Sequence, residues 1–131
     1  MKKGFVAGIE DDTRKNEDFR RVLYTGRYAQ LVLMRLKPGE EIGEEVHEDV
    51  DQILTFVSGE GMAILDGEES RVTRDHLVHV PAGTRHNIVN TGSLDLRLYT
   101  VYAPPQHKDG TIHVTKAEAD AEEMSWIQAL S

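Results

Sequence analysis

Apolar residues along this chain gather in short runs bounded by Gly, Pro, Asp and Asn, the pattern of β-strands rather than of long amphipathic helices. Leu31, Val32, Leu33, Met34 and Leu36 crowd the segment Tyr28–Leu36, which Lys37, Pro38 and Gly39 terminate by turn chemistry. Ile53, Leu54, Phe56 and Val57 follow before Ser58 and Gly59, and Met62, Ala63, Ile64 and Leu65 before Asp66 and Gly67. The Asp-Gly pair predicts a tight hairpin into Glu68–Thr73. Leu77–Val80 ends at Pro81, Ile88 and Val89 precede Asn90, and Leu94–Ala103 supplies the last long apolar run. Strands recurring every eight to twelve residues or so imply an antiparallel sandwich or barrel.

The two ends read differently. Residues 4–16 are polar and irregular, and Asp18–Tyr24 reads as a short strand ended by Thr25 and Gly26. Beyond Pro104 and Pro105, Thr115 and Glu118 have the spacing of a helix capping box, so Ala117–Leu130 is expected to be the only helix. Its Met124, Trp126, Ile127 and Leu130 fall where one helical face collects them and are expected to dock on the sheet, a dimer contact being the sharper alternative. One domain is expected, with an N-terminal arm over 1–27, a barrel over 28–104 and a C-terminal segment over 105–131.

A chain of 131 residues has the size of a single domain with one core. Its 15 basic against 23 acidic residues give a net charge of −8, which repels nucleic-acid backbones and anionic membrane surfaces. There is no cysteine, so any metal must be held by nitrogen and oxygen. The N-terminus meets Glu10 before building the apolar region of a secretion signal, and no run reaches the roughly 18 apolar residues of a membrane span. A soluble, cytoplasmic protein is the expectation.

Four donor residues sit near the turns. In an extended strand Glu45 and His47 share a face while Glu44 and Val46 point the other way. If the loop around Glu48–Asp51 reverses the chain, Gln52 opens the neighbouring strand beside His47, and Asp51 turns outward. The turn Pro81-Ala82-Gly83 then delivers His86 at the head of another strand.

These blocks resemble the two motifs of the cupins, small β-barrels that bind one metal. The first motif is Gly, five residues, His, any, His, three or four residues, Glu, six residues, Gly. Gly39, Glu45, His47, Gln52 and Gly59 keep that spacing. The second is Gly, five residues, Pro, any, Gly, two residues, His, three residues, Asn. Pro81, Gly83, His86 and Asn90 match it, with Asp75 in place of the first glycine. The resemblance spans residues 30–103 and implies an all-β, double-stranded β-helix (jelly-roll) barrel with a short C-terminal helix, usually a homodimer. It also implies one divalent metal on Glu45, His47, Gln52 and His86. Here the family's first histidine is Glu45 and its glutamate is Gln52. Either donor set holds one carboxylate and leaves a divalent ion at net +1. Imidazole, carboxylate and amide oxygen suit Mn, Fe, Zn, Co or Ni.

Other residues carry weaker signals. Seven carboxylates between Glu40 and Asp51 read as a solvated edge, or as a rim that concentrates cations. Only one face of the strand carrying His76 and His79 can reach the interior. Arg35 and Arg97 within apolar strands are expected to face outward, since an inward guanidinium would mark a carboxylate or phosphate on the substrate. Tyr99 and Tyr102 have opposite parity, so at most one lines the pocket. His107 and His113 are expected at the surface. The resemblance implies either an enzyme of the isomerase, decarboxylase or dioxygenase kind acting on a small polar substrate of sugar or carboxylate type, or a non-catalytic sensor, carrier or accessory subunit holding a metal or small ligand. The Glu, any, His variant of the first motif looks a little like the sugar phosphate isomerase branch.

Overall fold

Alternating burial along the strands builds two antiparallel sheets whose apolar faces share one core in this computed structural model, which describes residues 3–130 except the side chains of 125–130. The elements in chain order are α1 (Ile9–Lys15), β1 (Arg20–Thr25), β2 (Gln30–Leu36), β3 (Asp51–Ser58), β4 (Glu60–Leu65) and β5 (Glu68–Thr73). They continue with β6 (Leu77–Val80), β7 (His86–Val89), β8 (Leu96–Ala103), β9 (Ile112–His113) and α2 (Lys116–Leu130). The larger sheet has the order β6-β3-β8-β2-β1-β9 and the smaller β5-β4-β7. This is the expected jelly-roll barrel with its C-terminal helix. Leu54, Phe56 and Leu98 are fully enclosed between the sheets, and burial of such side chains contributes about 1.5–3 kcal/mol each.

The turns follow their residues. Asp66 and Gly67 both have positive φ, 49° and 83°, as a two-residue primed hairpin turn between β4 and β5 requires. Gly59 has φ 87°, and a Cβ there would stand 2.5 Å from the Asp95 carbonyl oxygen, so both conformation and space demand glycine. Asp75, at the position of the second motif's first glycine, also has a positive φ, 75°. Asn90 closes that motif structurally: its buried amide donates to the carbonyls of Leu36 and Leu94, both at 2.9 Å, and accepts the Gly92 N–H.

Two expectations are corrected at the chain ends. Residues 9–15 form a helix where irregular chain was expected, so α2 is not the only one. With a single buried side chain, Thr13, α1 shows no apolar periodicity, and i,i+4 pairs Glu10–Arg14 and Asp11–Lys15 support it instead. At α2 the Glu118 N–H donates to Thr115 Oγ1 at 3.2 Å, while the Glu118 carboxylate accepts from Val114 N–H at 2.7 Å, one residue short of a closed capping box. Ala119 is buried and Met124 half-exposed. The docking expected of Trp126, Ile127 and Leu130 falls on side chains outside the described residues.

Arg35 and Arg97 stand opposite each other across β2 and β8 on the sheet's outer face. Asp95 and Glu17 pair with both, the latter from the N-terminal arm laid over them. No helix among the described residues is long and apolar enough to cross a membrane.

Candidate metal centre

The segment carrying Glu45 and His47 is an irregular edge rather than a strand, tied to β7 by the isolated bridges Glu41↔Val89 and Glu45↔His86. Glu45 and His86 exchange both backbone hydrogen bonds at 2.9 Å, and such an antiparallel pair stands directly opposite, with its side chains on one face. The Gly83 N–H then donates to the His47 carbonyl at 2.8 Å, fixing the next turn against the Pro81–Thr84 loop. Burial alternates along the edge as expected: Glu44 and Val46 are exposed, Glu45 and His47 partly covered. Gln52, the second residue of β3, lies between Val80 of β6 and Tyr102 of β8 and is 2% exposed. Asp51 faces outward, where its carboxylate accepts the Ala82 N–H at 2.8 Å and meets His79 at 3.3 Å. His76 and His79 are both exposed, outside the site.

One ligand atom from each of Glu45, His47 and His86 lies within 4.8 Å of the other two. His86 Nδ1 lies 2.9 Å from the Thr84 carbonyl. A carbonyl only accepts, so Nδ1 carries the proton and Nε2 keeps its lone pair. His47 Nε2 is 2.8 Å from Glu45 Oε2, yet it is buried without a directed hydrogen bond. The two atoms share one small space with a ligand atom of His86, as donors around a common cation would. Gln52 Nε2 donates to Thr100 Oγ1 at 3.1 Å, and its Oε1 is likewise buried without a partner. Burial alone would push the Glu45 carboxyl up. The contact with His47 and the charge of the Arg20 guanidinium outweigh it and hold the carboxyl below the ordinary range. The chemistry and spacing of these donors fit a divalent cation.

Glu45 and His47 open onto a cavity of about 590 Å³ whose far wall comes from residues that strand patterns alone did not mark. Arg20 and His113 face each other across β1 and β9, and both are buried, at 7% exposure each. Arg20 Nη1 donates to His113 Nδ1 at 3.2 Å. A guanidinium only donates, so the His113 proton is on Nε2, where it meets the Glu122 carboxylate of α2. Tyr102 packs edge-on against His47 and His107, with ring centroids 6.0 and 5.0 Å apart. Burial drives its hydroxyl far above the ordinary tyrosine value, against a hydrogen bond from Arg20. Burial pushes His107 down to about 3, with the Arg20 charge acting in the same direction. His107 and His113, expected at the surface, therefore belong to the pocket, because the chain after β8 folds back across the barrel mouth. Gln30 clamps that return: its Oε1 accepts the His107 N–H at 2.9 Å, and its Nε2 donates to the His107 carbonyl at 2.7 Å.

The profile of the cupin domain family matches residues 32–102, which contain every donor of this site. The chain belongs to the cupin family. This cupin is 44% identical over 127 residues to the uncharacterized protein YrkC of Bacillus subtilis, covering 92% of this chain and 68% of that one. A Bacillus halodurans protein of known crystal structure superposes with a TM-score of 0.89 at 44% identity, over 91% of this chain and 95% of that one. A protein of Thermotoga maritima described as a predicted oxalate decarboxylase superposes with a TM-score of 0.58 at 26% identity, over 60% of this cupin and 69% of that chain.

Proposed function

We propose that this cupin is a metal-dependent enzyme acting on a small polar substrate of sugar or carboxylate type, with Glu45, His47, Gln52 and His86 holding one divalent ion, Mn, Fe, Zn, Co or Ni. One observation carries the reading: ligand atoms of Glu45, His47 and His86 converge within 4.8 Å. Beside it, the buried atoms His47 Nε2 and Gln52 Oε1 lack hydrogen-bond partners, and Glu45 and His47 border a cavity of about 590 Å³. Cavities of about 300–1,000 Å³ suit small molecules.

A divalent ion at such a site supplies Lewis acidity toward a substrate oxygen. The chain's own residues do the rest. The Thr84 carbonyl holds the His86 ring in one tautomer, Glu45 contributes the single negative charge, and Thr100 fixes the Gln52 amide. Tyr102 covers the His47 ring from the barrel side and keeps water from it. The Thermotoga relative described as a predicted oxalate decarboxylase supports a carboxylate more than a sugar. The working unit is proposed as a homodimer, to be checked by sedimentation.

An enzyme needs coordination positions open to substrate, whereas a carrier or sensor fills its shell. Water-proton relaxation of the protein loaded with Mn²⁺ separates these readings. Rapidly exchanging water on the bound ion is expected. Relaxation no greater than that of a fully protein-coordinated ion would overturn the enzyme reading in favour of a non-catalytic metal-binding cupin.

A further inference from the structure

We propose that Arg20, assisted by His107, binds the carboxylate of a small substrate whose second oxygen reaches the Glu45, His47 and His86 cluster. The proposal deepens the metal-centre reading and rests on it for the second contact, while the carboxylate contact needs only the protein.

A buried guanidinium is costly unless paired, and Arg20 is 7% exposed. No carboxylate lies within ion-pair distance of it among the described residues, and its Nε is buried without a hydrogen-bond partner. Its partners are uncharged: His113 Nδ1, which accepts and so belongs to a neutral ring, and the Tyr102 hydroxyl. Glu122 is drawn to the opposite nitrogen of His113 and leaves the guanidinium alone. The cavity therefore keeps one preoriented guanidinium without a direct ion pair among the described residues, its charge felt by Glu45 across the cavity.

His107 adds a second group. Its Nε2 is buried without a partner, and Gln30 holds its backbone from both sides. Tyr102 touches the rings of His47 and His107 and accepts from Arg20, so one side chain separates the carboxylate subsite from the metal donors. A single guanidinium with neutral neighbours matches a monoanionic, planar carboxylate. A dianionic phosphate would face a lining in which the carboxylates Glu44, Glu45, Asp120, Glu122 and Glu123 outnumber the cations Arg20 and Lys108.

The test is calorimetric titration of Mn²⁺-loaded protein with glycolate, 3-hydroxypropionate and 4-hydroxybutyrate, each beside its amide, and with inorganic phosphate. Metal content is measured in every sample. At least one hydroxy acid is expected to bind tenfold or more tighter than its amide. Arg20→Lys, which keeps the charge and loses the fork, is expected to remove most of that preference at unchanged metal content. His107→Phe should weaken the acid several-fold, and it keeps the test decisive if Arg20→Lys does not fold. Equal binding of acid and amide, no binding of any acid, full acid binding by the folded Arg20→Lys protein, or tighter Arg20-dependent binding of phosphate would each overturn the proposal. Arg20-dependent acid preference in protein that retains no metal would instead overturn the metal reading and leave the carboxylate subsite standing. Full metal with no acid preference would do the reverse.

Discussion

The Thr84 carbonyl oxygen lies 2.9 Å from Nδ1 of His86, two residues along the chain, and this contact decides which ring nitrogen of His86 faces outward as a lone pair. The turn delivers the histidine and sets its tautomer together. The Nδ1-protonated form is predicted to dominate in metal-free protein near neutral pH, read from long-range ¹H–¹⁵N correlations of the imidazole. A dominant Nε2-protonated form would contradict the donor geometry.

Asp75 occupies a left-handed backbone position, φ 75°, that the family motif gives to glycine. Asp tolerates this region better than most residues but is still strained there. Asp75→Gly is predicted to stabilise the fold by about 0.5–1 kcal/mol, raising the melting temperature by roughly 2–4 °C. A calorimetric scan showing a lower melting temperature would contradict the strain argument.

Much of the fold and the core of the site were legible in the sequence because their signals are local. Alternation, the Asp66-Gly67 turn and the two glycine-bracketed blocks each lie within about twenty residues, and they mark Glu45, His47 and Gln52 in one block and His86 in the other; the bridge between Glu45 and His86 brings the blocks together. The opposite wall of the pocket is different. Arg20 and His113 are 93 residues apart and meet only because β1 pairs with β9. His107 reaches the cavity on a segment with no strand pattern, held by Gln30. A usable hint existed in β1, where Arg20 shares strand parity with buried Val22, the mark of an inward guanidinium. Arg35 and Arg97, expected to face outward, do so, on the outer face of β2 and β8. Helix α1 escaped because its signal lies in charge pairs rather than apolar spacing.

His107 is held neutral by burial, its value lowered from 6.5 to about 3. The unfolded chain therefore binds the extra proton first as pH falls, so stability contributed by this site is intact above about 6.5 and is lost progressively toward 3. Urea midpoints are predicted to fall between pH 7 and pH 5, above the range where most carboxylates titrate, and to fall less in His107→Phe. An equal decline in both proteins would place the acid sensitivity elsewhere.

Charge at the centre rests on Glu45 alone, since Gln52 is neutral. Glu45→Gln is predicted to weaken divalent-metal affinity by about 100-fold or more, and Gln52→Glu to strengthen it, as measured by competition with a chelating dye; ligand-sphere changes of even the outer kind cost 10–100-fold. Unchanged affinity in both variants would contradict the assignment of these two positions.

The most direct measurement is elemental analysis of protein purified without chelator, repeated on His47→Ala/His86→Ala protein whose fold is verified by circular dichroism. About one divalent ion per chain in the native protein and near none in the double variant is the predicted result. Stoichiometric metal in both, or none in the native protein after incubation with Mn²⁺, Fe²⁺, Zn²⁺, Co²⁺ and Ni²⁺ in turn, would contradict the site.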